Sequence, residues 1–191
     1  MIRFVFVVLF TLCVSVLQAQ EHGPVIGVSL GTFHEKTDAV SSLLKGSELH
    51  YHVGYSYRQY FKHKFALDVT ALYGTQGTEY QWYTAGSESY DVKGQYVSLG
   101  AVASYECFKN FRVGVGADFA YYLGKIKLPA TDNTMNHPLD IPLVARVSYA
   151  VKCVEFQLSY KLGTCNLAKS QSFGKLTSRD LQLSIFVPLF K

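Results

Sequence analysis

The sequence predicts an all-β protein: an eight-stranded antiparallel up-and-down transmembrane β-barrel with short periplasmic turns and longer outer loops. Hydrophobic residues make up 49% of the 191 residues and charged residues only 17%, which excludes intrinsic disorder. Eight segments alternate apolar and polar residues with period two, a pattern typical of strands. Short and long connections alternate between these segments, as they do in barrels whose two ends lie on opposite sides of a membrane.

Residues 1–19 have the layout of a secretory signal peptide. Arg3 supplies a positive charge, Phe4–Leu12 form an apolar stretch, and smaller residues lead to a cleavage site after Ala19. The apolar stretch is too short to cross a membrane as a helix. We therefore expect an exported protein in which residues 20–191 form a single β-barrel domain.

The eight predicted strands share one alternation. In the first, Ile26, Val28 and Leu30 alternate with glycine and serine. In six of the other seven, apolar residues occupy the odd-numbered positions, and small or polar residues occupy most even-numbered ones. In the strand at 154–163 the numbering is reversed, and the apolar face consists of Val154, Phe156, Leu158, Tyr160 and Leu162. Several segments reach ~10 residues, the length that a tilted strand needs to cross a bilayer. In chain order the strands are predicted at residues 25–31, 49–58, 65–74, 97–105, 111–124, 139–149, 154–163 and 180–189.

The connections fall into two classes. Short ones follow the second, fourth and sixth strands, around His63, Cys107–Asn110 and Val151–Cys153. Long polar ones follow the first, third, fifth and seventh strands, at His34–Glu48, Glu79–Lys93, Lys125–His137 and Cys165–Arg179. This division predicts short turns at one end of the barrel and long loops at the other.

The alternative is a soluble lipocalin-like periplasmic carrier of a small apolar ligand. Such a carrier is also a β-barrel, but its apolar and polar faces point in the opposite directions. A carrier turns its apolar face inward, whereas a membrane barrel turns it toward lipid. The polar face here is rich in glycine and serine, which suits the narrow interior of an eight-stranded barrel. That face also carries charges of both signs, which we expect to form a lumen charge network: Arg58, Asp68, Arg112, Asp118, Asp140, Arg146, Glu155, Lys161 and Asp180.

Aromatic residues on the apolar face cluster toward the strand ends. Tyrosine and phenylalanine at those positions are typical of the aromatic girdles at the two membrane interfaces, although both residues also favour strands in general. The predicted girdle consists of Tyr55, Tyr57, Phe61, Phe65, Tyr73, Tyr105, Phe111, Tyr121 and Tyr149.

Three segments resemble the PorT-like outer-membrane β-barrel family. They are FALDVTALYGTQGTEYQW from Phe65, GQYVSLGAVASYECFKNFRVGVGADFAYYLG from Gly94, and the terminal LQLSIFVPLFK. The resemblance implies an outer-membrane barrel whose closing strand is read by the barrel-insertion machinery. It also implies an accessory role in protein secretion. The shared features are strand patterns and include no active-site residues.

Few residues suggest chemistry. His50 and His52 share one strand face and suit a metal ion, but no third ligand stands at a fixed offset. No glycine-rich phosphate loop and no pair of catalytic carboxylates stands out. We therefore expect no enzymatic activity, no cofactor and no metal.

The expected function is that of a small integral outer-membrane protein with a structural or interaction role at the cell envelope; a weak solute pore is the other alternative. Expected partners are outer-membrane lipids, the insertion machinery during assembly, and an envelope or secretion protein at the outer loops. In the first loop Val40, Leu43 and Leu44 offer either such a contact or packing on the rim. A net charge of +4 is too small for a nucleic-acid surface.

Overall fold

The structure is a computed structural model, and it describes residues 20–36, 48–61, 64–82, 88–123, 138–167 and 175–189. The predicted signal peptide, the apolar residues of the first loop, His63 and the whole predicted connection at 125–137 lie outside the described residues. No helix that is long and apolar enough to cross a membrane occurs in the described part of the chain.

The described residues form strands nearly throughout, because the alternation of apolar and polar residues suits a sheet with two different faces. The strands are β1 (Gln20–Lys36), β2 (Glu48–Tyr60), β3 (Phe65–Trp82), β4 (Glu88–Phe108), β5 (Phe111–Leu123), β6 (Leu139–Asp140), β7 (Leu143–Val151), β8 (Val154–Leu162) and β9 (Lys175–Phe186).

Except for β6 and β7, strands that follow each other in the chain pair antiparallel, and β9 pairs with β1 to close the sheet. The short β6 and the longer β7 both pair with β5, so they form one wall element of the barrel. The predicted strand at 139–149 is therefore interrupted at Ile141 and Pro142. Proline has no N–H to donate, and its carbonyl accepts from the Asp118 N–H at 2.9 Å instead. The result is a closed eight-stranded barrel, as predicted.

The apolar face of the sheet lies outside. Ile26 and Leu49 are 60% and 68% exposed, whereas Arg58 is 1% exposed in the interior. Most of the large exposed hydrophobic residues stand at the predicted outward positions, and the interior is lined mainly by serine, glutamine, threonine and charged groups. This is the inverse of a soluble carrier, whose interior would be apolar, so the lipocalin-like alternative is not favoured.

The β3–β4 hairpin is longer than the sequence predicts. The connection predicted at Glu79–Lys93 is wrong, because the two strands stay paired up to Trp82 opposite Glu88. Polar residues on both faces end the alternation there, but backbone pairing continues through Thr78, Tyr80 and Val92, which are good strand formers.

Both ends of β1 and both ends of β9 also differ from the predicted limits. β1 extends from Gln20 to Lys36, and β9 begins at Lys175, so both neighbouring connections are shorter than predicted. β9 ends at Phe186, but Leu189 still donates its N–H to the carbonyl of His22 at 3.0 Å.

The short connections lie at one end of the barrel, which we call the turn end; the opposite end is the loop end. Lys64, Asn110 and Lys152 each adopt a positive φ, of 69°, 68° and 55°. This left-handed conformation lets an antiparallel pair reverse within a few residues. The three predicted tight turns are therefore present.

Candidate functional site

An ion-pair cluster fills the lumen at the turn end; we call Arg58, Asp68, Arg112, Glu155 and Glu21 the turn-end cluster. Arg58 Nη1 and Nη2 donate to the two oxygens of Glu155 at 2.6 and 2.7 Å. Arg58 Nε donates to Asp68, which stands directly opposite it on β3. The Arg58 guanidinium also lies over the ring of Phe186, 5.2 Å from its centroid.

The second arginine of the cluster completes a chain of hydrogen bonds. Arg112 Nη1 donates to Glu155 at 2.8 Å, and its Nη2 donates to the Tyr60 hydroxyl at 2.7 Å. That hydroxyl donates to Glu21 at 2.7 Å. Sequence analysis missed Glu21 and Tyr60: β1 was expected to begin only at Val25, and Tyr60 was not included in the lumen network. The alternation of β2 does place Tyr60 on the inward face.

A second group of charges lies nearer the loop end. Lys161 Nζ donates to Asp118 at 2.5 Å. Asp140 has no ion pair among the described residues and accepts from the backbone N–H groups of Ile141 and Cys165 at 2.8 and 3.1 Å. Asp180 accepts from the Gln182 amide at 2.6 Å.

Arg146 belongs to neither group by direct contact. Its Nε donates to the Ser159 hydroxyl at 3.0 Å, and its Nη1 has no hydrogen-bond partner among the described residues. The nine predicted lumen charges thus all face the interior, but they do not form one network. Four lie in the turn-end cluster and four lie nearer the loop end, and Arg146 is hydrogen-bonded to neither group.

Described side chains fill the lumen beside the second group of charges. Next to Lys161 and Asp118 a cavity of about 10 Å³ remains, the space of about one water molecule. Tyr96 and Tyr122 pack beside it with ring centroids 5.9 Å apart. Larger space occurs at the turn-end mouth, where a depression of about 230 Å³ includes Arg112 and Glu155 in its lining.

All nine predicted girdle residues lie on the outward face of their strands. Phe65 and Tyr105 stand opposite each other with ring centroids 4.9 Å apart. Phe108 is also strongly exposed, and its ring centroid lies 6.3 Å from that of Phe111. Phe108 was not predicted for the girdle because the sequence placed it in the short connection Cys107–Asn110. In the structure β4 continues to Phe108, with a register shift between Glu106 and Phe108.

His50 and His52 point to different partners. His52 is fully buried, and its Nε2 lies 2.8 Å from the Ser184 hydroxyl. His50 Nδ1 lies 3.4 Å from the Thr75 hydroxyl, and its Nε2 lies 3.8 Å from the Glu48 carboxylate. Within the described ranges, no three histidine, cysteine, aspartate or glutamate side chains gather in a way that could hold a metal ion.

The three described cysteines are free. Cys107 and Cys153 lie at the turn end, at the end of β4 and in the β7–β8 turn, and Cys165 lies beyond β8 at the loop end.

An eight-stranded barrel with an apolar exterior and a filled polar interior defines an integral membrane barrel of the outer-membrane class. A family described as "Outer membrane protein beta-barrel domain" matches residues 18–167, and the chain belongs to that family. The protein is therefore an outer-membrane β-barrel protein.

Two solved structures illustrate the likeness. Neisserial surface protein A superposes with a TM-score of 0.54 and 17% identity, covering 90% of this chain and 100% of that chain; this likeness shows the fold. The attachment invasion locus protein Ail of Yersinia pestis, solved with the heparin analogue sucrose octasulfate, has a TM-score of 0.49 and 11% identity over 89% of this chain and 99% of that chain. No match was found among curated proteins.

Proposed function

We propose that this barrel is a non-conducting, non-enzymatic protein of the outer membrane that serves the envelope by interaction at its loop end. The filled lumen is the observation that carries the proposal. A charged side chain removed from the lumen would leave its partner desolvated, so the ion pairs hold the interior closed. Because the lumen is filled, the protein acts through the surfaces that face lipid, the periplasm and the exterior.

The finer proposal is an accessory role in protein secretion, which rests on the resemblance of three segments to the PorT-like family. The long β3–β4 hairpin supports it, since its two strands stay paired up to Trp82 opposite Glu88, well past the end of the β2–β3 pairing at His52 opposite Gly74. Such an extension offers a partner protein an accessible strand edge.

Two measurements test the general proposal. The refolded protein in planar bilayers should show no steady porin-like conductance, and surface protease on whole cells should cut the protein at the loop end while leaving a membrane-embedded fragment. Steady large conductance would favour the solute pore. Recovery of the whole protein from the soluble periplasm would contradict an integral barrel.

The secretion role needs its own test. Deletion of the gene should reduce the amount of exported protein in the medium, and a variant that lacks residues 83–87 but still folds should fail to restore it. Unchanged secretion in the deletion strain would contradict the secretion role and leave the non-conducting barrel intact.

A further inference from the structure

The barrel wall opens between β2 and β3 toward the loop end. The two strands pair from Tyr60 opposite Ala66 up to His52 opposite Gly74, and no further. Beyond that point Glu48–Tyr51 of β2 pair with β1, and Thr75–Trp82 of β3 pair with β4. Within the described residues, the facing edges of these two segments have no strand between them.

A cleft of about 370 Å³ occupies this opening, a volume typical of small-molecule sites. Residues of β2, β3 and β4 line the cleft, and they include both apolar and polar side chains: Leu49, His50, Tyr51, Thr75, Gly94 and Gln95. Leu49 and Tyr51 are 68% and 59% exposed toward the outside of the barrel.

Next to Thr75 on β3, the Gln76 side chain is buried inside the barrel. A Cβ added at Gly31 of β1 would lie 2.8 Å from Gln76 Cγ, and the Tyr122 hydroxyl of β5 donates to the Gln76 side chain at 2.8 Å. Gln76 therefore fills lumen space on the inner side of the β3 segment that borders the cleft.

One polar group in the cleft is buried without a hydrogen bond. His50 is 7% exposed, and its Nε2 has no hydrogen-bond partner among the described residues. A buried ring nitrogen in that state costs free energy, so it favours a ligand that supplies the missing hydrogen bond. The Glu48 carboxylate, 3.8 Å from this nitrogen, opposes a ligand with a negative charge.

The position of the cleft relative to the apolar band indicates what kind of ligand occupies it. Outward positions on β3 change from Tyr73 to Thr75, and on β4 from Val97 to Gln95, so the apolar band ends at the level of the cleft. A ligand there can place a hydrocarbon chain beside lipid and a polar group at the interface. A water-soluble peptide strand seated in the cleft beside Leu49 and Tyr51 would instead have to face the membrane.

We propose that this cleft binds one amphiphile of the outer leaflet, with its acyl chain along Leu49 and Tyr51 and an uncharged hydroxyl or amide head group at His50. The buried nitrogen, the adjoining carboxylate and the edge of the apolar band together specify that chemistry. The site is distinct from the filled lumen and does not depend on a secretion role.

The test uses the refolded barrel in bilayer nanodiscs of dimyristoyl phosphatidylcholine, titrated with monomyristoyl glycerol and followed by backbone amide NMR. We expect saturable shifts confined to Glu48–Tyr51 and Thr75–Gln76. His50→Leu should weaken binding of monomyristoyl glycerol at least tenfold. If that variant does not refold, Thr75→Val, which removes a hydroxyl from the cleft lining, should also weaken binding. His22→Leu, a histidine change at the turn end, is the matched control and should leave the affinity unchanged.

Three results would overturn the proposal. Shifts of equal size around the whole outward face would indicate ordinary lipid contact. Tighter binding of myristate than of the glycerol ester would contradict an uncharged head group. Shifts of the same amides that depend on protein concentration, without added amphiphile, would show that a second copy adds a strand at this edge.

Discussion

Arg58 on β2 and Glu155 on β8 are joined by two hydrogen bonds of 2.6 and 2.7 Å although 97 residues separate them in the chain. The strands are not neighbours, because β1 and β9 lie between them in the sheet. The pair therefore ties two separate parts of the wall together across the lumen. Two-point contact of this kind fixes geometry as well as charge.

Glu155→Ala should be the most damaging single change in the turn-end cluster. Glu155 accepts hydrogen bonds from Arg58, Arg112 and the Gln157 amide, so its loss leaves two desolvated guanidinium groups short of a partner. Breaking a buried pair in this way costs ~3–5 kcal/mol. Urea unfolding of the refolded barrel in detergent measures the loss.

Gln157→Ala is the matched control for that change, since it removes one amide hydrogen bond to the same carboxylate at 3.1 Å. A single hydrogen bond to a charged group contributes ~1.5–3 kcal/mol. Equal losses in the two variants would show that Glu155 does not connect the two arginines.

Arg58 and Asp68 should be energetically coupled. Arg58→Ala and Asp68→Ala each break the same buried pair, so the double variant should lose less stability than the sum of the single losses, by ~0.5–3 kcal/mol. Asp68→Ala alone should cost less than Glu155→Ala, because Arg58 keeps its two bonds to Glu155. Strictly additive losses in the urea measurement would mean that the pair does not form.

Gly27→Ala should destabilise the barrel because β1 passes close to its neighbours at that point. A Cβ there would lie 2.2 Å from the Leu183 carbonyl oxygen and 2.6 Å from His52 Nε2. Gly100→Ala is the comparison, since its Cβ would lie 3.0 Å from the flexible Asp118 carboxylate. The fraction refolded, read as unheated and boiled mobility on a detergent gel, should fall further for Gly27→Ala; the reverse order would contradict this account.

Cys165 should react first with a membrane-impermeant thiol reagent on intact cells. It lies at the loop end, whereas Cys107 and Cys153 lie at the turn end, on the periplasmic side of such barrels. Cys153 is exposed, so it should react once the outer membrane is permeabilised. Mass spectrometry of labelled peptides separates the three sites. Labelling of Cys153 before Cys165 would invert the orientation.

Much of the fold was predictable because period-two patterning encodes both the strands and their faces. The β2–β3 register also followed from the sequence: a short turn with apolar residues at odd positions on both strands sets Arg58 opposite Asp68, as observed. The extent of the β3–β4 hairpin did not follow, because beyond Gln76 it has polar residues on both faces and backbone pairing leaves no periodic signal.

Contacts across the lumen were harder to predict than contacts between neighbouring strands. The alternation shows that Arg58 and Glu155 both face inward, but their pairing depends on how far each strand is shifted as the sheet closes, which a pattern within one strand does not encode. The cleft at His50 was missed for a related reason. It arises where β2 and β3 stop pairing, and on β2 the sequence continues to alternate past that point, so no signal marks the loss of the partner strand.

The length of the β3–β4 hairpin determines how far it extends beyond the membrane. From Tyr73 to Trp82 the strand advances by ~3.3 Å per residue, so the hairpin rises roughly 30 Å along its own direction past the last apolar outward residues. That is comparable to the thickness of the hydrocarbon layer itself. The paired strands therefore end, at Trp82 opposite Glu88, well outside the hydrocarbon layer, where we expect antibodies to reach them on living cells.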